Sequence, residues 1–186
     1  MSDELGSFLE VIPRHAHARA DAPAYRLAGP DSDMVLNYKT LAHHVARLGA
    51  GLKAAGLGDE TRIAICMENR PAWPVGYLAI WYAGATVVPI DPALEAHAIR
   101  RILEHSAVPL VLSSHRLGTK LLAAKEGLEE PPRIVDVDAD GYYWDGAAPE
   151  GFPAATGEVC GPGWVSVALA GSTDWAPAAR PDAPAP

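Results

Sequence analysis

The chain has 186 residues, 49% hydrophobic and 20% charged, with a formal net charge of −8. This is the composition of one globular domain, or a domain plus a tail, rather than of a disordered chain. The acidic balance, without clusters of Lys and Arg, argues against a nucleic-acid partner and against docking on anionic lipid.

Phe8 to Ala20 reads as a short amphipathic helical region disturbed by Pro13, and Pro23 to Leu27 reads as a strand. Gly29-Pro30-Asp31-Ser32-Asp33 is a dense turn signal before Met34-Val35-Leu36, so the two apolar runs are expected to pair as a hairpin. Tyr38 to Ala55 is the longest helical pattern, with Leu41, Val45, Leu48 and Leu52 on one face and Gly56-Leu57-Gly58 as its stop.

The pattern then alternates. Strands are expected at Arg62 to Met67, Thr86 to Ile90, Leu110 to Ser113 and Arg133 to Val137, with helices at Pro71 to Ala83, Glu95 to His105 and Leu117 to Gly127. Crossovers of helical length require a parallel sheet with helices on its faces, so the fold class is α/β, a flavodoxin-like or Rossmann-like half with an N-terminal β-hairpin. In the second helix pattern Trp73, Tyr77, Ile80 and Trp81 share one broad face and are read as core. Gly84 stands where a left-handed C-cap is expected. Thr86-Val87-Val88 lacks polar alternation, which predicts a strand buried on both faces, closed by Pro89 and Pro92 with Asp91 at its C-terminal end. Residues 1–138 form the α/β unit in this reading. Residues 139–186 are a Gly/Pro-rich irregular segment in which only Trp164 to Leu169 has strand character, followed by an extended Pro/Ala tail.

Four stretches in order resemble the adenylate-forming ligases, the family of acyl-CoA and aryl-CoA synthetases, peptide-synthetase adenylation domains and luciferases. Leu36-Asn37-Tyr38-Lys39-Thr40-Leu41 is similar to the family's Leu-Thr-Tyr-x-Glu-Leu, with Asn37 and Thr40 as departures. Asp59 to Ile65 resembles its Gly-Asp-x-Val-Ala-Ile strand entry, and Met67 to Trp73 its Asn-x-x-x-Trp/Phe helix start. Trp81 to Pro92 resembles its second signature, a helix, a glycine, a strand and Pro-Ile-Asp. The family motif residues here are Leu36, Tyr38, Leu41, Gly84, Pro89 and Asp91, and the resemblance implies structural rather than catalytic roles for them.

The resemblance implies a parent reaction that joins a carboxylate to AMP and then to a thiol, normally coenzyme A, using ATP and magnesium. Such chemistry needs a phosphate loop, acids for magnesium and ribose, and a lysine, to neutralise charge as pyrophosphate leaves. The loop is expected after a segment like Arg180 to Ala185, and the sequence stops at Pro186. This chain is therefore expected to be an inactive N-terminal part that holds no cofactor, catalytic residue or metal of its own. Its partner would be the remainder of the ligase. The alternative is a non-catalytic module that pairs with itself or another chain through an uncovered sheet edge; a flavodoxin-like nucleotide binder is a third reading, suggested by the fold alone.

Other constellations are read blandly. Gly171-Ser172-Thr173-Asp174 lacks the lysine, second glycine and helix of a phosphate loop and is expected to be a turn. His15 with His17, His43 with His44, and His97 with His105 lack metal-ligand spacing, and His105 suits a helix C-terminus. Asp136, Asp138 and Asp140 alternate without the glycine and glutamate of a calcium loop. Asp91 is the best single acid at a strand end, where a turn role outweighs a ligand role. Cys66 and Cys160 form no disulfide framework, and Met1-Ser2-Asp3-Glu4 is acidic where a secretory signal is basic, so a cytoplasmic setting is expected. Pro71 to Ile90 is free of charge but broken by Pro74, Gly76, Gly84 and Pro89, so no membrane span is expected.

Overall fold

The computed structural model describes residues 8–28 and 34–137. The 29–33 turn, Asp138 and Asp140, Cys160, the Trp164 to Leu169 run, the Gly171 to Asp174 segment and the tail lie outside the described residues.

Helix α1 spans Phe8–Ala18 and is followed by strands β1 (Pro23–Leu27) and β2 (Met34–Asn37), which pair antiparallel with Leu27 opposite Met34. Pro13 lies inside α1 instead of ending it. The lost backbone donor is offset by burial of the neighbouring Ile12, which is 4% exposed in the core.

Helix α2 (Tyr38–Ala54) begins directly after β2. Asn37, the departure from the signature threonine, is its N-cap: Oδ1 accepts from Thr40 N at 2.8 Å. Tyr38 N and Lys39 N donate to Ala22 O and Ala20 O, so three of the four orphan donors of the first turn have partners. Ser/Thr-x-x-Glu is a capping box, and this chain keeps the capping oxygen at position 37 while Thr40 replaces the reciprocal acid.

Strands β3 (Arg62–Cys66), β4 (Thr86–Pro89), β5 (Leu110–Ser113) and β6 (Arg133–Asp136) form a parallel sheet in the order β4-β3-β5-β6. Helix α3 (Ala72–Ala83) joins β3 to β4, α4 (Ala96–Ser106) joins β4 to β5, and a short 3₁₀ turn (His115–Leu117) with α5 (Gly118–Lys125) joins β5 to β6. One core lies between the sheet and α2 and α3, around Leu52, Ile63, Ile65, Val75, Ala79 and Leu112. The other lies between the sheet and α4 and α5, around Ala64, Ile99, Val111, Leu121 and Ile134. The fold class read from the alternation is the one observed.

Two expectations change. β4 is an edge strand, with Thr86 and Pro89 exposed and Val87 and Val88 half-buried, whereas β5 is buried throughout. Unbroken β-branching marked a strand but could not say where in the sheet it lies. The bonds Thr86 N to Thr61 O and Ile90 N to Ile65 O turn the even positions toward β3. Val87 and Pro89 therefore face outward, and proline has no N–H to offer there, which blunts this edge against strand addition.

The second change concerns the aromatic face of α3. Trp73, Tyr77 and Trp81 are half-buried and form a ladder, with centroids 5.2 Å apart for the first pair and 5.4 Å for the second. Ile80, read on the same face, is buried in the core as expected and Trp73 packs against that core, while the other buried positions include Val75, Leu78, Ala79 and Tyr82. The helix is apolar all round, so periodicity alone did not choose its core face. Gly84 closes α3 at φ 90°, with Ala85 N bonded to Ile80 O at 3.1 Å, the Schellman arrangement expected of a glycine C-cap. Among the described residues no helix is long and apolar enough to cross a membrane.

Candidate functional site at the C-terminal edge of the sheet

From β3 the chain moves outward to β4 through α3, and from β5 it moves the other way to β6 through α5. The reversal between β3 and β5 is a topological switch point, and the crevice outside the carboxyl ends of those strands is where open α/β sheets hold ligands. The residues that follow β3 are Met67, Glu68, Asn69 and Arg70, and those that follow β5 are Ser114, His115 and Arg116.

Ser113 Oγ donates to Cys66 O at 2.8 Å and ties the two strand ends together. His115 Nδ1 lies 2.6 Å from Asp136 Oδ2 at the end of β6, the two side chains being 12% and 7% exposed. Ser114 Oγ is buried with no hydrogen-bond partner among the described residues. Arg116 Nε stands 3.8 Å from Glu68 Oε1, too far for a hydrogen bond, and the arginine is largely in water. Cys66 is fully buried, and burial pushes its thiol up to about 11 against the opposing pull of Lys120, so it is no nucleophile at neutral pH.

This arrangement can orient an imidazole and present polar groups at a strand edge. Among the described residues no group of three or more His, Cys, Asp or Glu comes together.

The structure places the signature residues elsewhere. Leu36 and Leu41 are buried at 7% and 2% exposure. Tyr38 packs under α1, its ring 4.9 Å from that of His15 and 5.5 Å from the Arg19 guanidinium. Pro89 ends the edge strand. Asp91 is exposed, and its Oδ1 accepts from Ala93 N at 2.8 Å, a turn-forming bond within the β4–α4 connection. Lys120 of α5 pins the same connection, donating to Pro92 O at 2.9 Å and Leu94 O at 3.1 Å. His115, Ser114, Glu68 and Lys120 escaped the sequence reading. A usable signal for the first two was Ser113-Ser114-His115 immediately after an apolar strand, the position where open sheets carry their ligand residues.

The model of the AMP-binding enzyme family matches residues 12–185. A linear gramicidin synthase of Brevibacillus parabrevis is 32% identical over 139 residues, 75% of this chain and 2% of that protein. Tyrocidine synthase 3 of the same organism is 32% identical over 111 residues, 60% of this chain and 2% of the other. Among solved structures, the Brucella canis acyl-CoA synthetase aligns with a TM-score of 0.67 at 22% identity over 88% of this chain and 27% of its own. The long-chain-fatty-acid-CoA ligase of Archaeoglobus fulgidus gives 0.72 at 17% identity over 92% and 31%. The chain thus spans a small part of the proteins it matches. On a family match that runs through nearly all of its length, supported by the shared fold, the chain belongs to the AMP-binding enzyme family, the adenylate-forming synthetases and ligases.

Proposed function

We propose that this chain is the amino-terminal α/β part of an ATP-dependent ligase that activates a carboxylate and passes it to coenzyme A. In the parent reaction a carboxylate oxygen attacks the α-phosphorus of ATP and pyrophosphate leaves, giving an acyl-adenylate. A thiol sulfur then attacks the acyl carbon, AMP leaves, and the thiol proton passes to a base. The observation that carries this reading is the family match over residues 12–185 on a fold shared with CoA ligases. The contribution of the described residues is a scaffold: β3 to β6 and their crevice support one wall of a site whose phosphate-binding and metal-binding groups lie outside them.

A second reading, activation of an amino acid within a peptide synthetase, is favoured by the higher identity to peptide synthetases, 32% against 17% to 22% for the two CoA ligases. Both readings make the 186-residue chain inert alone, and ATP–pyrophosphate exchange with a panel of fatty, aromatic and amino acids is expected to give no turnover. Turnover by this polypeptide would refute the scaffold role. Repeating the exchange with the product of the reading frame carried past Pro186, and scoring CoA thioester separately, separates the readings. Exchange without thioester selects the second, and an extended product that supports no exchange defeats both.

A further inference from the structure

We draw no further inference here: the strongest candidate, the buried Ser114 hydroxyl with the Glu68 carboxylate at the carboxyl ends of β5 and β3, belongs to the crevice already described, and nothing among the described residues shows what either group would bind.

Discussion

The tightest test of the packing is Gly49→Ala on the buried face of α2. A methyl group at Gly49 would stand 2.4 Å from Tyr82 Cδ1, 2.9 Å from Tyr82 Cβ and 2.9 Å from the backbone oxygen of Ala79, all on α3. Rotating the Tyr82 ring relieves only the first contact; the other two involve atoms fixed by the backbone of α3. The helices must therefore move apart by roughly an ångström, which loosens the layer formed by Val45, Leu52, Ala79 and Tyr82. Overpacking of this kind costs about 1 to 3 kcal/mol, with the larger values where backbone has to shift. Alanine at a helix interior returns about 1 kcal/mol of propensity. The net expectation is a loss of about 1 to 2 kcal/mol, read as a lower urea midpoint at an unchanged m-value. Gly56→Ala is the control, since its φ of 75° strains any side chain while nothing lies within 4 Å of the added methyl; it should cost about 1 kcal/mol by backbone strain alone. If Gly49→Ala is neutral or stabilising while Gly56→Ala behaves as stated, the close approach of α2 to α3 is not what holds this core.

Two further outcomes are expected. Burial, then the charges of His43 and Arg47, lower the His44 pKa from 6.5 to about 4, so the unfolded chain binds the proton more readily. Its contribution is whole above pH 6.5 and is lost as pH falls toward 4, by on the order of 1 to 2 kcal/mol once partial exposure is discounted. His44→Gln should therefore close the gap in unfolding midpoint between pH 7 and pH 4.5 by that amount, and an unchanged gap would remove His44 as its source. Lys120→Met deletes both donors that pin Pro92 O and Leu94 O. It should cost about 1 to 2 kcal/mol and speed hydrogen exchange at Ala93 and Leu94 ahead of the α4 interior; equal protection of that connection in both proteins would count against the clamp.

Much of the fold was legible because each piece reports on its own backbone. The Leu41, Val45, Leu48, Leu52 spacing marked the inner face of α2, Gly84 marked the end of α3, and the alternation of strand and helix patterns required the parallel sheet. What was not legible depends on neighbours distant in sequence. The place of β4 at the edge depends on β5 crossing to the far side of β3, which no property of Thr86-Val87-Val88 encodes. His115 meets Asp136 across 21 residues and Lys120 reaches Pro92 across 28, each through the packing of a later element. Single-residue composition carries no trace of either pairing.

The same distinction explains why a chain can carry family signatures and so little visible chemistry. In the first signature, Asn37 spends its side-chain oxygen on the amide of Thr40, and Tyr38 spends its ring on His15 and Arg19. In the second, Gly84 supplies a left-handed helix end and Asp91 turns its own loop. These polar and special-geometry groups are engaged by local structure. The local order they enforce delivers β3 and β5 to a common edge, where Ser113 bridges the strand ends and Ser114, His115 and Glu68 follow them. A motif whose atoms are used up in capping and turning identifies a lineage through its architecture. Substitutions there should act through stability, whereas substitutions at the switch point should act on whatever the crevice contacts. The signatures are thus evidence for the scaffold, and the switch point is where chemistry on that scaffold should be sought.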